Sequence, residues 1–151
     1  MESQEQQQDQ SAVMAQNVSK EDRAFLERHV DKLSQSTLRA KWINSVDEHE
    51  DRPGQTLATR NHDVVRRWAE ERGAVPATVP GTEHGDRAGV LRFIFSGQGD
   101  GEDPFRLEPI SWEEWFKTFD ERQLVLVFQE HKADGSQSNF FRFDGPDRQD
   151  A

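Results

Sequence analysis

Apolar residues are sparse up to Val18, then recur at helical spacing as Phe25, Leu26, Val30 and Leu33 behind Ser19, Lys20, Glu21 and Asp22. A hydroxyl cap followed by an acidic first turn and that spacing predicts an amphipathic helix over residues 19–33. A second short helical stretch is expected at 37–43 and carries Trp42. Residues 44–60 show no periodicity and contain Pro53 and Gly54, so they read as a linker. A connection of that length is commonly functional or a spacer.

The pattern sharpens from Asn61, which caps a predicted helix running to Arg72. Val64, Val65, Trp68 and Ala69 share one face of it, and Gly73 suits the position past its end. Residues 75–79 read as a strand that Pro76 would confine to a sheet edge. Residues 90–95 are a stronger strand, and 98–103 a Gly/Asp loop. Ser111 with Glu114 forms a capping box, and Ile110 with Trp115 fits a hydrophobic staple. Trp112, Trp115, Phe116 and Phe119 then recur at i, i+3, i+4 and i+7, the signature of a buried helix face. Residues 124–128 are continuously apolar, as in a central strand. Asp134 and Gly135 mark a turn, and 139–143 is the returning strand.

Shifting the chain by 50 residues aligns 61–93 with 111–143 without a gap, with six identities in 33 positions. Roughly two are expected by chance from ordinary residue usage. Asn61 falls on Ser111, Glu71 and Arg72 on Glu121 and Arg122, Val75 on Val125, Gly85 on Gly135, and Arg92 and Phe93 on Arg142 and Phe143. The cap, helix end, turn glycine and strand residues coincide at one offset, which points to an internal repeat of helix, strand, turn, strand. One such unit is marginal alone. The expected fold is therefore α+β: two tandem αββ units forming a four-stranded, mainly antiparallel sheet with helices on one face, preceded by an N-terminal helical extension.

Composition adjusts this picture. Ten Phe and four Trp are present, and twelve of these fourteen lie between Trp68 and Phe143. The low hydrophobic content of 32% thus averages a polar N-terminal third with an aromatic-rich region. Expected boundaries are a disordered tail at 1–18, a helical extension and linker at 19–60, a core at 61–145 and a second disordered tail at 146–151. With 151 residues, a barrel of 200 residues or more is excluded. No apolar run approaches the ~18 residues of a membrane span. The Gln- and acid-rich N-terminus is the reverse of a signal or transit peptide, so a cytoplasmic location is expected. The chain has no Cys, which excludes disulfides and thiolate-ligated metal. A net charge of -10 repels nucleic-acid phosphate unless basic groups are segregated onto one face.

From about Arg60 onward the chain resembles a family of small, uncharacterised bacterial proteins. The resemblance rests on residues 61–73, 89–93, 110–116 and 133–140, spread across about 85 of the 151 residues. Members are often labelled 1,4-alpha-glucan branching enzymes. A branching enzyme resembles an amylase, with a large barrel and an Asp/Glu catalytic set that a chain of this length cannot contain. The resemblance therefore implies a compact small fold and carries over no catalytic residue. Residues 41–59 look like an extension shared only by longer members.

Several clusters invite chemistry. Asp47, His49 and Asp51 alternate and could converge on a divalent metal. The segment lacks calcium-loop spacing and a second His at helical distance, so a solvated acidic linker is the expectation. Residues 97–103 are Gly-rich, but three acids stand where a phosphate cradle needs a Lys and a helix start, and a flexible loop is expected. His62 with Asp63, His84 with Asp86, and His131 with Asp134 could act as bases. No Gly-x-Ser-x-Gly elbow accompanies them, and they read as surface histidines. Asp120 and Glu121 read as a solvated helix face. Trp112 and Trp115 could stack on a sugar or base, but their register predicts burial.

Strand parity places Phe93, Phe95, Phe141 and Phe143 together in the core. Val90, Ile94 and Phe140 then line the opposite face, as a docking surface or under the helix that carries Phe25 and Leu26. Arg60, Arg66, Arg67 and Arg72 make a local basic patch, with Glu70 and Glu71 one turn away.

These readings lean towards a non-catalytic intracellular protein-interaction or adaptor module with an unknown protein partner. Its small, acidic, Gln-rich character suggests a stress association. The expected interaction residues are Arg60, Arg66, Arg67, Val90, Ile94 and Phe140. No catalytic residue, cofactor or metal is expected, and neither is nucleic acid or membrane binding. The alternatives are a nucleic-acid-associated protein using Arg60, Arg66, Arg67 and Arg72, or a small-molecule or glycan binder using the cleft between the repeat units with Trp42 or Trp68.

Overall fold

A computed structural model describes residues 18–83, 88–95 and 106–146. The expected tails (apart from Val18 and Pro146), the Gly-rich loop 97–103 and the pair His84 and Asp86 lie outside these residues. The fold is mixed α+β, with four helices and two sheets among the described residues.

Ser19 caps α1 (Lys20–His29), its Oγ accepting from Asp22 N at 3.2 Å. Ser34 caps α2 (Gln35–Arg39). This second helix starts and stops earlier than the sequence suggests, because Lys41 and Trp42 leave it to form β1 (Lys41–Trp42). β1 pairs in parallel with β2 (Thr56–Thr59), which lies in the segment expected to be a linker. Leu57, Ala58 and Thr59 are fully buried. A short strand covered on both faces carries no alternation for the eye to find.

Two helix–hairpin units follow. Asn61 caps α3 (His62–Glu71), and Ser111 caps α4 (Trp112–Glu121); each side chain accepts from the N–H three residues on. Past the helix ends, Gly73 and Gln123 both take positive φ, 66° and 56°. The hairpin of β3 (Val75–Thr78) and β4 (Leu91–Ile94) pairs Val75 with Ile94 and Pro76 with Phe93. The hairpin of β6 (Val125–Gln129) and β7 (Phe141–Asp144) pairs Val125 with Asp144 and Leu126 with Phe143. Helices and registers thus correspond at the fifty-residue offset.

The expected single four-stranded sheet is not formed. The first sheet has the order β1-β2-β6-β7, and the second the order β4-β3-β5, where β5 is Glu108–Pro109. The first hairpin completes its sheet with one strand from outside the units, β5, and the second with two, β1 and β2. β6 pairs with β2, not with the first hairpin.

Pro76 also sits in a central strand, against expectation. It faces Phe93 at a position where its nitrogen points away from β4, towards β5, and Ile110 N donates to its carbonyl at 3.0 Å. β5 is two residues long and ends here, so the one ladder bond a proline cannot donate, the return bond to Ile110, is missing only at the last rung of a short ladder.

Helices do not lie on one face only. Leu57, Leu126 and Phe128 face a core shared with Val64, Val65, Trp68, Trp115 and Phe119. The opposite face of the same sheet, with Ala58, Val125 and Val127, packs on Phe25, Leu26, Leu33, Leu38 and Trp42. The N-terminal helices therefore cover a second face, but not the one bearing Val90 and Ile94. The phenylalanines of shared parity do meet: Phe93 and Phe141 centroids are 5.1 Å apart, and Phe95 and Phe141 5.9 Å.

Each unit anchors its helix on the other's strand. Trp68 of α3 donates its indole N–H to Gln129 O of β6 at 2.9 Å. Trp115 of α4 donates to Arg92 O of β4 at 3.1 Å and stacks on Phe93 at 5.1 Å. The extension is tied on by Asp144, whose fully buried carboxylate accepts from Thr37 Oγ1 at 2.5 Å, Ser34 N at 3.0 Å and Gly145 N at 2.8 Å.

Candidate functional site

The parallel approach of β1 to β2, and the antiparallel pairing of Thr56 with Gln129, bring the 45–55 loop against the residues that follow β6. Gly54 makes the approach close. It takes φ 88°, and a Cβ there would stand 3.2 Å from Ala133 Cα. Its N–H donates to His131 O at 2.9 Å, and its carbonyl accepts from Gln129 Nε2 at 3.1 Å. A residue with a side chain would strain the turn and press on backbone.

Across this seam two dyads face each other. His49 Nδ1 lies 2.9 Å from Glu130 Oε2, and His131 Nδ1 lies 2.5 Å from Glu50 Oε2. Glu50 N also donates to Glu130 Oε1 at 2.9 Å. The ligand-type atoms of Glu50, Glu130 and His131 all lie within 4.8 Å of one another. The carboxylate side chains are 11% exposed, and the imidazoles of His49 and His131 are 55% and 46% exposed. The acids form the floor of the cluster and the imidazoles its rim.

Buried Arg72 and half-buried Arg67 hold the floor. Arg72 donates to Ser138 O at 2.6 Å, Trp68 O at 2.9 Å and Glu130 O at 2.9 Å, with its guanidinium 4.5 Å over the Trp68 ring. Arg67 reaches Glu130 Oε2 at 3.4 Å and donates to Val46 O, pinning the loop to α3. Burial alone would push the Glu130 carboxyl up. The Glu50 N–H, His49 and Arg67 outweigh it and hold the group below the ordinary carboxylate range.

The acidic segment is therefore built differently from its alternating pattern. Asp47 is exposed, and Asp51 turns to Lys41 Nζ at 2.9 Å and to Gln55. His49 and Glu50 make the site instead. Their partners Glu130 and His131 are some 81 residues away in sequence, and only the unforeseen β2–β6 pairing brings them together. His131 does not pair with Asp134, whose carboxylate takes the Ser136 hydroxyl and N–H. His62 pairs with Asp120 at 2.9 Å and stacks on Phe116 at 4.1 Å.

The arginines expected as a patch are dispersed. Arg60 lies 4.3 Å over the Phe25 ring and donates to Leu124 O. Arg67 and Arg72 point inward, as above. Arg66 is exposed and paired with Glu70 at 2.9 Å. An open groove of about 630 Å³ along α3 is lined by Asp63, Arg66, Arg67, Glu70 and Glu71, both signs interspersed.

Val90 and Ile94 lie on the three-stranded sheet, whereas Phe140, 44% exposed, precedes β7 of the other sheet, so the three do not share one face. Trp42, Trp68 and Trp115 are buried, and Trp112 is half-buried, stacked on Phe116 at 5.2 Å. No family model, no curated protein and no solved structure matches the chain. Among the described residues no helix is long and apolar enough to cross a membrane.

Proposed function

We propose that this chain is a non-catalytic protein-interaction module of adaptor type, working in the cytoplasm, and that it docks its partner on the outer face of the three-stranded sheet. One contrast carries the reading. The four-stranded sheet packs on a core at both faces. The three-stranded sheet turns Leu91 and Phe93 inward, while Val75, Val79, Val90 and Ile94 lie on its other face about a central pair of Ala77 and half-buried Arg92, and belong to neither core cluster. Val75 is 44% exposed.

Apolar side chains aligned on two neighbouring strands suit an apolar partner surface. The net charge of -10 favours a partner whose rim is basic. The inward arginines and buried tryptophans leave the nucleic-acid and glycan readings with little surface to act through. We further read the two αββ units as copies of one packing solution, a reading their common offset supports.

The test compares proteins retained by the full chain with those retained by the variant Val75→Lys/Ile94→Lys. The wild type is expected to retain a specific protein that the folded variant loses at least tenfold. The same proteins retained equally by both would contradict the assignment. Val75→Lys alone should leave stability within about 0.5 kcal/mol, as for exposed positions.

A further inference from the structure

We infer that Glu50, Glu130 and His131, with His49 beside them, form a binding site for one divalent cation of the zinc class. The site is independent of the docking face proposed above. Two carboxylates and an imidazole, with a solvent molecule in the open position, are a donor set that such cations take. They come from two segments, 49–50 and 130–131, which the β2–β6 ladder, Gly54 and the two inward arginines hold in place. The convergence within 4.8 Å involves these three residues; His49 lies outside it and pairs with Glu130 at 2.9 Å.

A second observation points to a missing partner. Glu50 Oε1 is out of solvent contact and has no hydrogen-bond partner among the described residues, although the side chain is 11% exposed and its other oxygen lies against His131. A shielded, unpartnered carboxylate oxygen is costly. It is accounted for if the oxygen is a ligand. The two carboxylates also face each other across the seam, an arrangement a cation relieves. Arg67, 3.4 Å from Glu130 Oε2, is placed to orient that carboxylate from outside. Calcium and magnesium fit poorly, since they take six or more oxygens. The exposed rim of imidazoles leaves an entry path.

The experiment titrates the full chain by calorimetry with zinc chloride, and separately with magnesium and calcium chloride, and records the visible spectrum with cobalt(II). One zinc per chain is expected, with a cobalt spectrum of low coordination number and a raised melting temperature in zinc. Glu50→Gln and His131→Gln should each weaken zinc binding at least tenfold. His131→Gln alters a half-exposed side chain, and its circular dichroism spectrum serves as the folding control. Absence of saturable zinc and cobalt binding would overturn the inference. So would unchanged zinc binding in both variants, or preference for calcium or magnesium.

Discussion

Replacing Trp115 with alanine is expected to cost about 3–5 kcal/mol, the range for deleting a buried aromatic ring. The side chain is fully buried. Its ring meets Phe93 at 5.1 Å, Phe119 at 5.3 Å and Phe143 at 5.8 Å, so the cavity would open between rings of both units. The Arg92 carbonyl would also lose its indole donor. Against a typical domain stability of about 5–15 kcal/mol, such a loss approaches the limit of folding. Urea unfolding of the variant measures it. Trp112→Ala, half-buried on the same helix, should cost much less. Similar costs for both would mean that the interlocked packing is not what holds the fold.

Asp144→Ala is expected to cost about 3 kcal/mol at neutral pH, because two buried donors and a part-buried one lose a charged acceptor. The Ser34 N–H and Thr37 hydroxyl are the start of α2, so the loss should loosen the N-terminal helices first. The effect depends on pH in a defined direction. Burial alone would push this carboxyl up, but Thr37, Ser34 and Gly145 more than compensate and hold it below its ordinary value. A carboxyl lowered on folding contributes its full stabilisation above the unfolded pKa, about 3.9, and loses it as pH falls through the folded value. The difference between wild type and variant should therefore be largest at pH 7 and shrink below about pH 4. Urea unfolding at the two pH values checks this; an undiminished difference in acid would mean that the carboxylate charge is not what the donors need.

Local signals survived the passage from sequence to structure, and long-range ones did not. Ser19, Asn61 and Ser111 cap helices where their hydroxyl or amide chemistry places them. The aromatic stripe on α4 is buried as its spacing requires, with Trp112 at its edge. Strand partners were another matter. Thr56, Leu57, Ala58 and Thr59 have neither length nor alternation, yet they occupy the middle of a sheet. Missing β2 hid the pairing of β2 with β6, and with it the meeting of His49 and Glu50 with Glu130 and His131. The arginines misled for a related reason. Helical spacing puts Arg72, four residues after Trp68 and seven after Val65, in line with the apolar face, so its inward turn was legible; Arg67 lies beyond the edge of that face, and only the neighbouring elements decide that it turns inward. Their long stems can follow apolar surface while the guanidinium finds carbonyls.

The interlocking of the two units is most directly tested by native-state hydrogen exchange at the indole N–H groups of Trp68 and Trp115. Each joins the helix of one unit to a strand of the other. Both protons should exchange only through global unfolding, with one opening free energy equal to that from urea. Exchange of either proton at a clearly smaller free energy would show that the two units open separately and are not one packed whole.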